Sequence, residues 1–190
     1  MNVLVFAASN NRQSINRSLA YSAATQVAGV NIDLLDIADY EMPLFSDERE
    51  QRLGQPALAL AFHQKIAAAD ALVIGFAEHN GSYTAAWKNL FDWTSRIDKA
   101  VFQNKPAVFL ATSPGPGGAA HVLQTAVDSA PHYGGNVRAS LSVPSFQDNF
   151  DDNTGRVTNP ALQYELLQAM LKLKNAVNQR RESSLQRMTA

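Results

Sequence analysis

Residues 3 to 17 read Val3-Leu4-Val5-Phe6-Ala7-Ala8-Ser9-Asn10-Asn11-Arg12-Gln13-Ser14-Ile15-Asn16-Arg17. The first six are continuously apolar, the pattern of a strand buried on both faces in a parallel sheet. Ile15, Leu19, Ala23, Ala24 and Val27 then recur at helical spacing, and Ser14 stands where an N-cap belongs. The link is a strand-to-helix turn whose first helical N–H groups lack intrahelical acceptors and face outward, ready for an anion. Ser9, Asn10, Ser14 and Asn16 add hydroxyl and amide donors, and Arg12 and Arg17 add positive charge. A terminal phosphate suits such a loop. Ser and Asn are also ordinary turn and capping residues, and the loop alone leaves both roles open. It contains no glycine, so it has neither the G-x-G-x-x-G of a dinucleotide fold nor the G-K-[ST] of a P-loop. That points to a single phosphate held by side-chain hydroxyls and helix N–H groups, and so towards a mononucleotide.

Outward from this stretch, apolar runs at residues 31 to 36, 70 to 76, 106 to 112 and 137 to 143 read as four further strands. Helical patterns at 15 to 28, 56 to 69, 83 to 98, 118 to 131 and 160 to 178 separate and follow them. Strict alternation predicts an α/β fold, a parallel sheet covered by helices on both faces. Five strands favour the flavodoxin-like three-layer sandwich of order 2-1-3-4-5, whose crevice opens at the carboxyl ends of the first and third strands. Tyr40 to Gln55 and Pro144 to Pro160 are expected as long surface loops, which wall a site or form subunit contacts. The expected domain is 1–178, with Gln179 to Ala190 as a polar, frayed tail.

Bulk properties narrow the function. The 190 residues are 46% hydrophobic, enough for one domain, and the net charge of -1 offers no broad basic face for nucleic acid. Without cysteine there is no thiolate metal site, Fe–S cluster or cysteine nucleophile, so redox chemistry needs a cofactor. The N-terminus enters a strand pattern directly and no apolar run approaches about 18 residues. The expectation is a soluble, cytoplasmic protein with no membrane partner and no metal.

Two more loops lie at the same sheet edge. Glu78-His79-Asn80-Gly81-Ser82 follows the third strand; Gly81 admits a positive φ and the close approach of a flat ligand, and Ser82 is the expected N-cap of the next helix. Thr112-Ser113-Pro114-Gly115-Pro116-Gly117-Gly118 follows the fourth, leaving much backbone exposed for the polar edge of a planar heterocycle. A phosphate at the first loop, a ring against the other two and a polyol between describe FMN.

On these residues the chain resembles the NADPH-dependent FMN reductase family of flavodoxin-like flavoproteins. The carriers are Ser9, Arg12, Ser14, Asn16 and Arg17, then Glu78 to Ser82 with Lys88-Asn89 and Asp92-Trp93, then Ser113-Pro114-Gly115 and Gly117-Gly118. The sequence departs from the family pattern at Ala8, Ala77, His79 and Thr84-Ala85, where Gly, Pro, Tyr and Pro-Gly are common. The resemblance implies that Ser9, Arg12, Ser14, Ile15 and Asn16 hold the FMN phosphate. It implies that Glu78, His79, Asn80, Gly81 and Ser82 line the ring, and that Ser113, Pro114, Gly115, Gly117 and Gly118 flank its ribityl side. It implies an NAD(P)H-dependent oxidoreductase in which FMN carries hydride from NADPH or NADH to a quinone, azo compound, flavin or similar acceptor. The alternative is a flavodoxin-like electron-transfer module, against which the small net charge weighs, since redox partners are steered by acidic surfaces. A homodimer or homotetramer is implied too. Trp87, Phe91, Trp93 and Ile97 are candidates for that contact or for plain core. Arg49, Arg52 and His121 are candidates for a nicotinamide 2′-phosphate.

Overall fold

The first strand, β1 (Asn2–Ala8), is buried along its whole length after Asn2, with Leu4 and Phe6 entering one side of the sheet and Val3 and Val5 the other. The computed structural model describes residues 1–189. After β1 come α1 (Ile15–Thr25), β2 (Asn31–Leu34), α2 (Asp47–Leu53), α3 (Ala57–Ala68) and β3 (Ala71–Phe76). A short pair β4 (Glu78–His79) and β5 (Ser82–Tyr83) precedes α4 (Ala85–Ile97), β6 (Pro106–Thr112), α5 (Ala120–Ser129) and β7 (Asn136–Val143). The chain ends with α6 (Phe146–Asn149), β8 (Phe150–Asp151), β9 (Arg156–Val157) and α7 (Pro160–Thr189).

The main sheet is β2-β1-β3-β6-β7, with every neighbouring pair parallel, which is the expected 2-1-3-4-5 order counted on its five long strands. Its two faces carry separate cores. Phe6, Phe62, Ile74, Trp87 and Phe109 pack on the side of α3, α4 and α5; Val5, Leu19, Val73, Leu110, Met170 and Leu173 pack on the side of α1 and α7. Gly75 in the middle of this apolar sheet marks a crossing. A Cβ there would lie 2.3 Å from the Asn16 carbonyl oxygen, so its absence lets the start of α1 seat directly on β3.

Three details differ from expectation. The tail does not begin at 179: α7 continues to Thr189 through residues that contain no Gly or Pro. Arg181 meets Asp70 at 2.7 Å and Arg180 donates to the Asn104 carbonyl at 3.2 Å, tying that extension to the sheet's amino edge. Ala190, the last residue of the expected tail, lies outside the described residues. Both long loops contain structure, α2 in the first and α6 with the β8–β9 hairpin in the second. Of the two roles open to them, Trp87 and Trp93 take that of core, at 2% and 0% exposure. Finally, the helix after the second loop starts at Ala85 and is capped by Thr84, whose Oγ1 accepts from the Trp87 amide at 3.1 Å, rather than by Ser82.

Candidate functional site

The first loop is held by its own polar groups. Asn11 organises it: its Oδ1 accepts from the Gln13 amide at 2.9 Å, its carbonyl accepts from Ser14, and its amide donates to Ser9 Oγ at 3.2 Å. Ser14 is extended, at φ −66 and ψ 120, and its carbonyl accepts from Arg17 and Ser18. Its side chain makes no capping bond although the residue is 94% buried, read as 6% exposure. Among the described residues no acceptor meets the backbone N–H of Ile15 or Asn16. An unpartnered hydroxyl that reaches a surface pocket from an otherwise buried residue, and two free helix N–H groups beside it, are what an anion needs.

Two of the residues assigned to the phosphate have other occupations. Asn16 turns its amide away: Nδ2 donates to the Thr112 carbonyl at 3.0 Å and Oδ1 accepts from the Thr112 amide at 2.9 Å, both buried. Its backbone N–H stays in the cradle while its side chain clamps the first loop to the end of β6. Arg12 reaches outward to Asp39 at 2.7 Å and Asp36 at 3.4 Å, and Arg17 stands 3.7 Å from Asp36. The hydrogen bond that Arg12 donates to Asp39, then the charges of Asp39 and Asp36, hold its guanidinium more firmly protonated than usual.

The second loop is a tight hairpin. Glu78 pairs with Tyr83 and His79 with Ser82, and Asn80 and Gly81 form the turn at φ 54 and φ 74. Both central residues at positive φ is the two-residue hairpin that Asn-Gly favours. His79, Asn80, Gly81 and Ser82 are all exposed on its tip. Glu78 is not: its Oε2 accepts from the Val122 amide at 3.0 Å at the start of α5, and Oε1 lies 3.8 Å from His121 Nδ1. A carboxylate at a helix N-terminus is favourable in itself. Thr84 donates from Oγ1 to the Ala8 carbonyl at 2.9 Å, fastening the hairpin to the end of β1.

In the third loop Ser113 Oγ donates to the Gly115 carbonyl, the Ser145 amide reaches the same carbonyl, and Phe146 donates to the Ser113 carbonyl. Gly118 has φ +57, and its carbonyl accepts from Ser142 Oγ at 2.8 Å. Gly115 and Gly117 have neither a positive φ nor any atom within 4 Å of an added Cβ. The chain's own packing therefore does not require glycine at these two positions, whereas a flat ligand against the backbone does.

The three loops are thus stitched into one surface by Asn16 to Thr112, Thr84 to Ala8 and Glu78 to Val122. Thr84, Thr112 and Asn11 position the site without lining it, a role that composition and spacing gave to none of them. Arg49 donates to the Leu44 carbonyl and sits with Arg52 on α2, whereas His121 is on α5 facing Glu78, so the three 2′-phosphate candidates do not form one cluster. Among the described residues no His, Cys, Asp and Glu group could hold a metal.

A model of the NADPH-dependent FMN reductase family matches residues 1–148. The NAD(P)H-dependent FMN reductase PA1204 of Pseudomonas aeruginosa is 38% identical over 122 residues, 58% of this chain and 64% of that protein's length. The NADPH:quinone oxidoreductase of Arabidopsis thaliana is 30% identical over 151 residues, 78% of this chain and 75% of that one. Among solved structures, the flavoenzyme FerB, an NAD(P)H:(acceptor) oxidoreductase from Paracoccus denitrificans, superposes with a TM-score of 0.71 at 24% identity, covering 91% of this chain and 95% of that chain. At that identity the likeness concerns the fold.

Proposed function

The chain belongs to the NADPH-dependent FMN reductase family, and on that footing we propose that it is an NAD(P)H-dependent FMN oxidoreductase acting on a small-molecule acceptor of the quinone kind. The observation that carries this reading is the stitched surface, in which the unpartnered Ser14 hydroxyl and the free Ile15 and Asn16 N–H groups share one sheet edge with the Asn80-Gly81 turn and the Gly115 to Gly118 backbone. Bound FMN supplies the centre that accepts and returns hydride, which no side chain here provides.

The residues divide the remaining work. Ser14 and the first turn of α1 hold the phosphate through neutral donors and the helix dipole, while Arg12 stays paired with Asp36 and Asp39 and contributes field rather than contact; Arg17, 3.7 Å from Asp36, keeps a buried Nε without a partner. The hairpin tip presents the backbone of the Asn80-Gly81 turn at the ring end, where fixed donors stabilise negative charge without reorganising. Glu78, anchored on α5, keeps that tip in place. The same reading carries a homodimer or homotetramer and a cytoplasmic location; among the described residues no helix is long and apolar enough to cross a membrane.

The test is direct. FMN-loaded protein should oxidise NADPH or NADH faster with a quinone or azo acceptor than without one. Loaded protein that is reduced only by a partner reductase, and by neither nicotinamide, would place it with the electron carriers instead.

A further inference from the structure

Behind the hairpin, on the side away from its Asn80-Gly81 tip, a cavity of about 130 Å³ opens between α4 and α5. Six aromatic side chains wall it: Phe76, Tyr83, Trp87, Phe91, Phe102 and Tyr133. They brace one another, with Phe91 edge-on to Tyr133 at 4.8 Å and Trp87 at 5.5 Å from Phe91. The Lys88–Asp92 ion pair, 2.7 Å apart, stands at its mouth. An apolar chamber of about 150 Å³ accepts a benzene-sized molecule, so this volume suits a single ring and not two fused ones.

The polar groups in the wall define the ligand further. Tyr83 Oη and Ser129 Oγ are 3.2 Å apart, and Ser129 also donates to the Ala126 carbonyl at 3.2 Å. A serine hydroxyl has one proton, so with Ser129 donating to Ala126 it is Tyr83 that donates to Ser129. The Tyr83 oxygen then keeps free acceptor capacity and no free proton. Burial raises the Tyr83 phenol above its ordinary range, partly offset by the Ser129 bond, so it remains a neutral hydroxyl at neutral pH. A guest matched to this wall must be one aromatic ring bearing an O–H that donates.

We propose that the cavity between α4 and α5 is a binding site for a monocyclic phenol, hydroquinones included, held by aromatic contact and by one hydrogen bond to Tyr83 Oη. It is separate from the cofactor surface and shares with it only the hairpin, of which Tyr83 is the last residue.

The experiment is a fluorine NMR titration of the full chain, with and without FMN, using 4-fluorophenol and the similarly shaped 4-fluorotoluene. Both should bind, the phenol more tightly. Tyr83→Phe should weaken 4-fluorophenol by roughly threefold to tenfold, the loss of one neutral hydrogen bond, and leave 4-fluorotoluene unchanged. Ala126→Leu, which fills the chamber from a position 2% exposed, should remove both. If that variant does not fold, the Tyr83→Phe comparison decides alone. The proposal is overturned if neither probe binds the parent, as when a second copy of the chain covers the opening, or if 4-fluorophenol binds Tyr83→Phe as well as the parent. Failure to take up FMN bears only on the proposed function, because the titration is also run without it.

Discussion

Asn16 and Thr112, 96 residues apart in the chain, exchange two buried hydrogen bonds that close the first loop onto the third. One amide thereby satisfies both backbone polar groups of a strand-end residue, which is a positional role and not a ligand's. Asn16→Asp keeps the acceptor but sets a carboxylate oxygen against the Thr112 carbonyl. The cost at neutral pH should exceed the ~1–3 kcal/mol of a neutral unsatisfied group. Burial facing a carbonyl raises the folded-state pKa of the introduced carboxyl above its unfolded value of about 3.9. Protonated, it can donate to Thr112 as the amide does. A raised folded pKa gives stability that is complete below the unfolded pKa and lost as pH rises through the folded one. The melting-temperature deficit relative to the parent should therefore be small near pH 4 and widen towards neutrality. A deficit that does not change with pH counts against the clamp.

This pair also shows what was legible. The continuous apolar runs of β1, β3 and β6 are readable because both faces of a central parallel strand are buried, and their alternation with helices gives the sheet order. The start of α1 was readable at Ser14, whose place before an apolar helical stripe marks an N-cap. Asn16 was not, since composition does not say whether an amide faces a ligand or a strand end far along the chain. Asn80-Gly81 carried the hairpin signal, but β4 and β5 are two residues each, too short for alternation to show. The end of α7 was missed because its buried stripe stops at Val177 while propensity and the Arg181–Asp70 pair carry the helix on.

If Ser14 holds the phosphate, Ser14→Ala weakens FMN by roughly twofold to tenfold and leaves riboflavin, which has no phosphate, unchanged. Asp39→Asn removes the closer partner of the Arg12 guanidinium, freeing its charge for the cradle. FMN should then bind more tightly and with steeper salt dependence, with little change in melting temperature because the pair is exposed. Flavin fluorescence titrations at two ionic strengths separate these outcomes. Equal losses for FMN and riboflavin in Ser14→Ala would move the phosphate elsewhere.

Gly117 and Gly118 are adjacent and should respond oppositely. Gly118→Ala places a Cβ 2.3 Å from Ser142 Oγ at φ +57, so it should destabilise the protein by about 1–3 kcal/mol. Gly117→Ala meets open space at an ordinary φ, so stability should hold or rise slightly, by about 0.4–1 kcal/mol. Its FMN affinity should nevertheless fall, because the methyl stands where the ring approaches the backbone. Thermal melts paired with FMN titrations test both arms; an unchanged affinity in Gly117→Ala removes that loop from the ring's contacts.

Asn89 and Trp93 hold the segment between the 3₁₀ turn at Ile37–Tyr40 and α2 against α4. Asn89 Oδ1 accepts from the Phe45 amide at 2.8 Å, its Nδ2 donates to the Met42 and Pro43 carbonyls at 3.1 and 3.3 Å, and Trp93 Nε1 donates to Pro43 at 2.8 Å. Phe45 packs edge-on against Trp93 at 5.1 Å, while Leu44 between these anchors is 67% exposed. Asn89→Ala removes three of the four polar anchors and leaves the Trp93 core contact intact. The segment should then open locally at a free-energy cost well below global unfolding. Arg49 and Arg52 follow it directly, so brief trypsin treatment should cut the variant there while the parent resists, with only a modest drop in melting temperature. Equal cleavage of both proteins would mean that the Asn89 bonds do not restrain the strap.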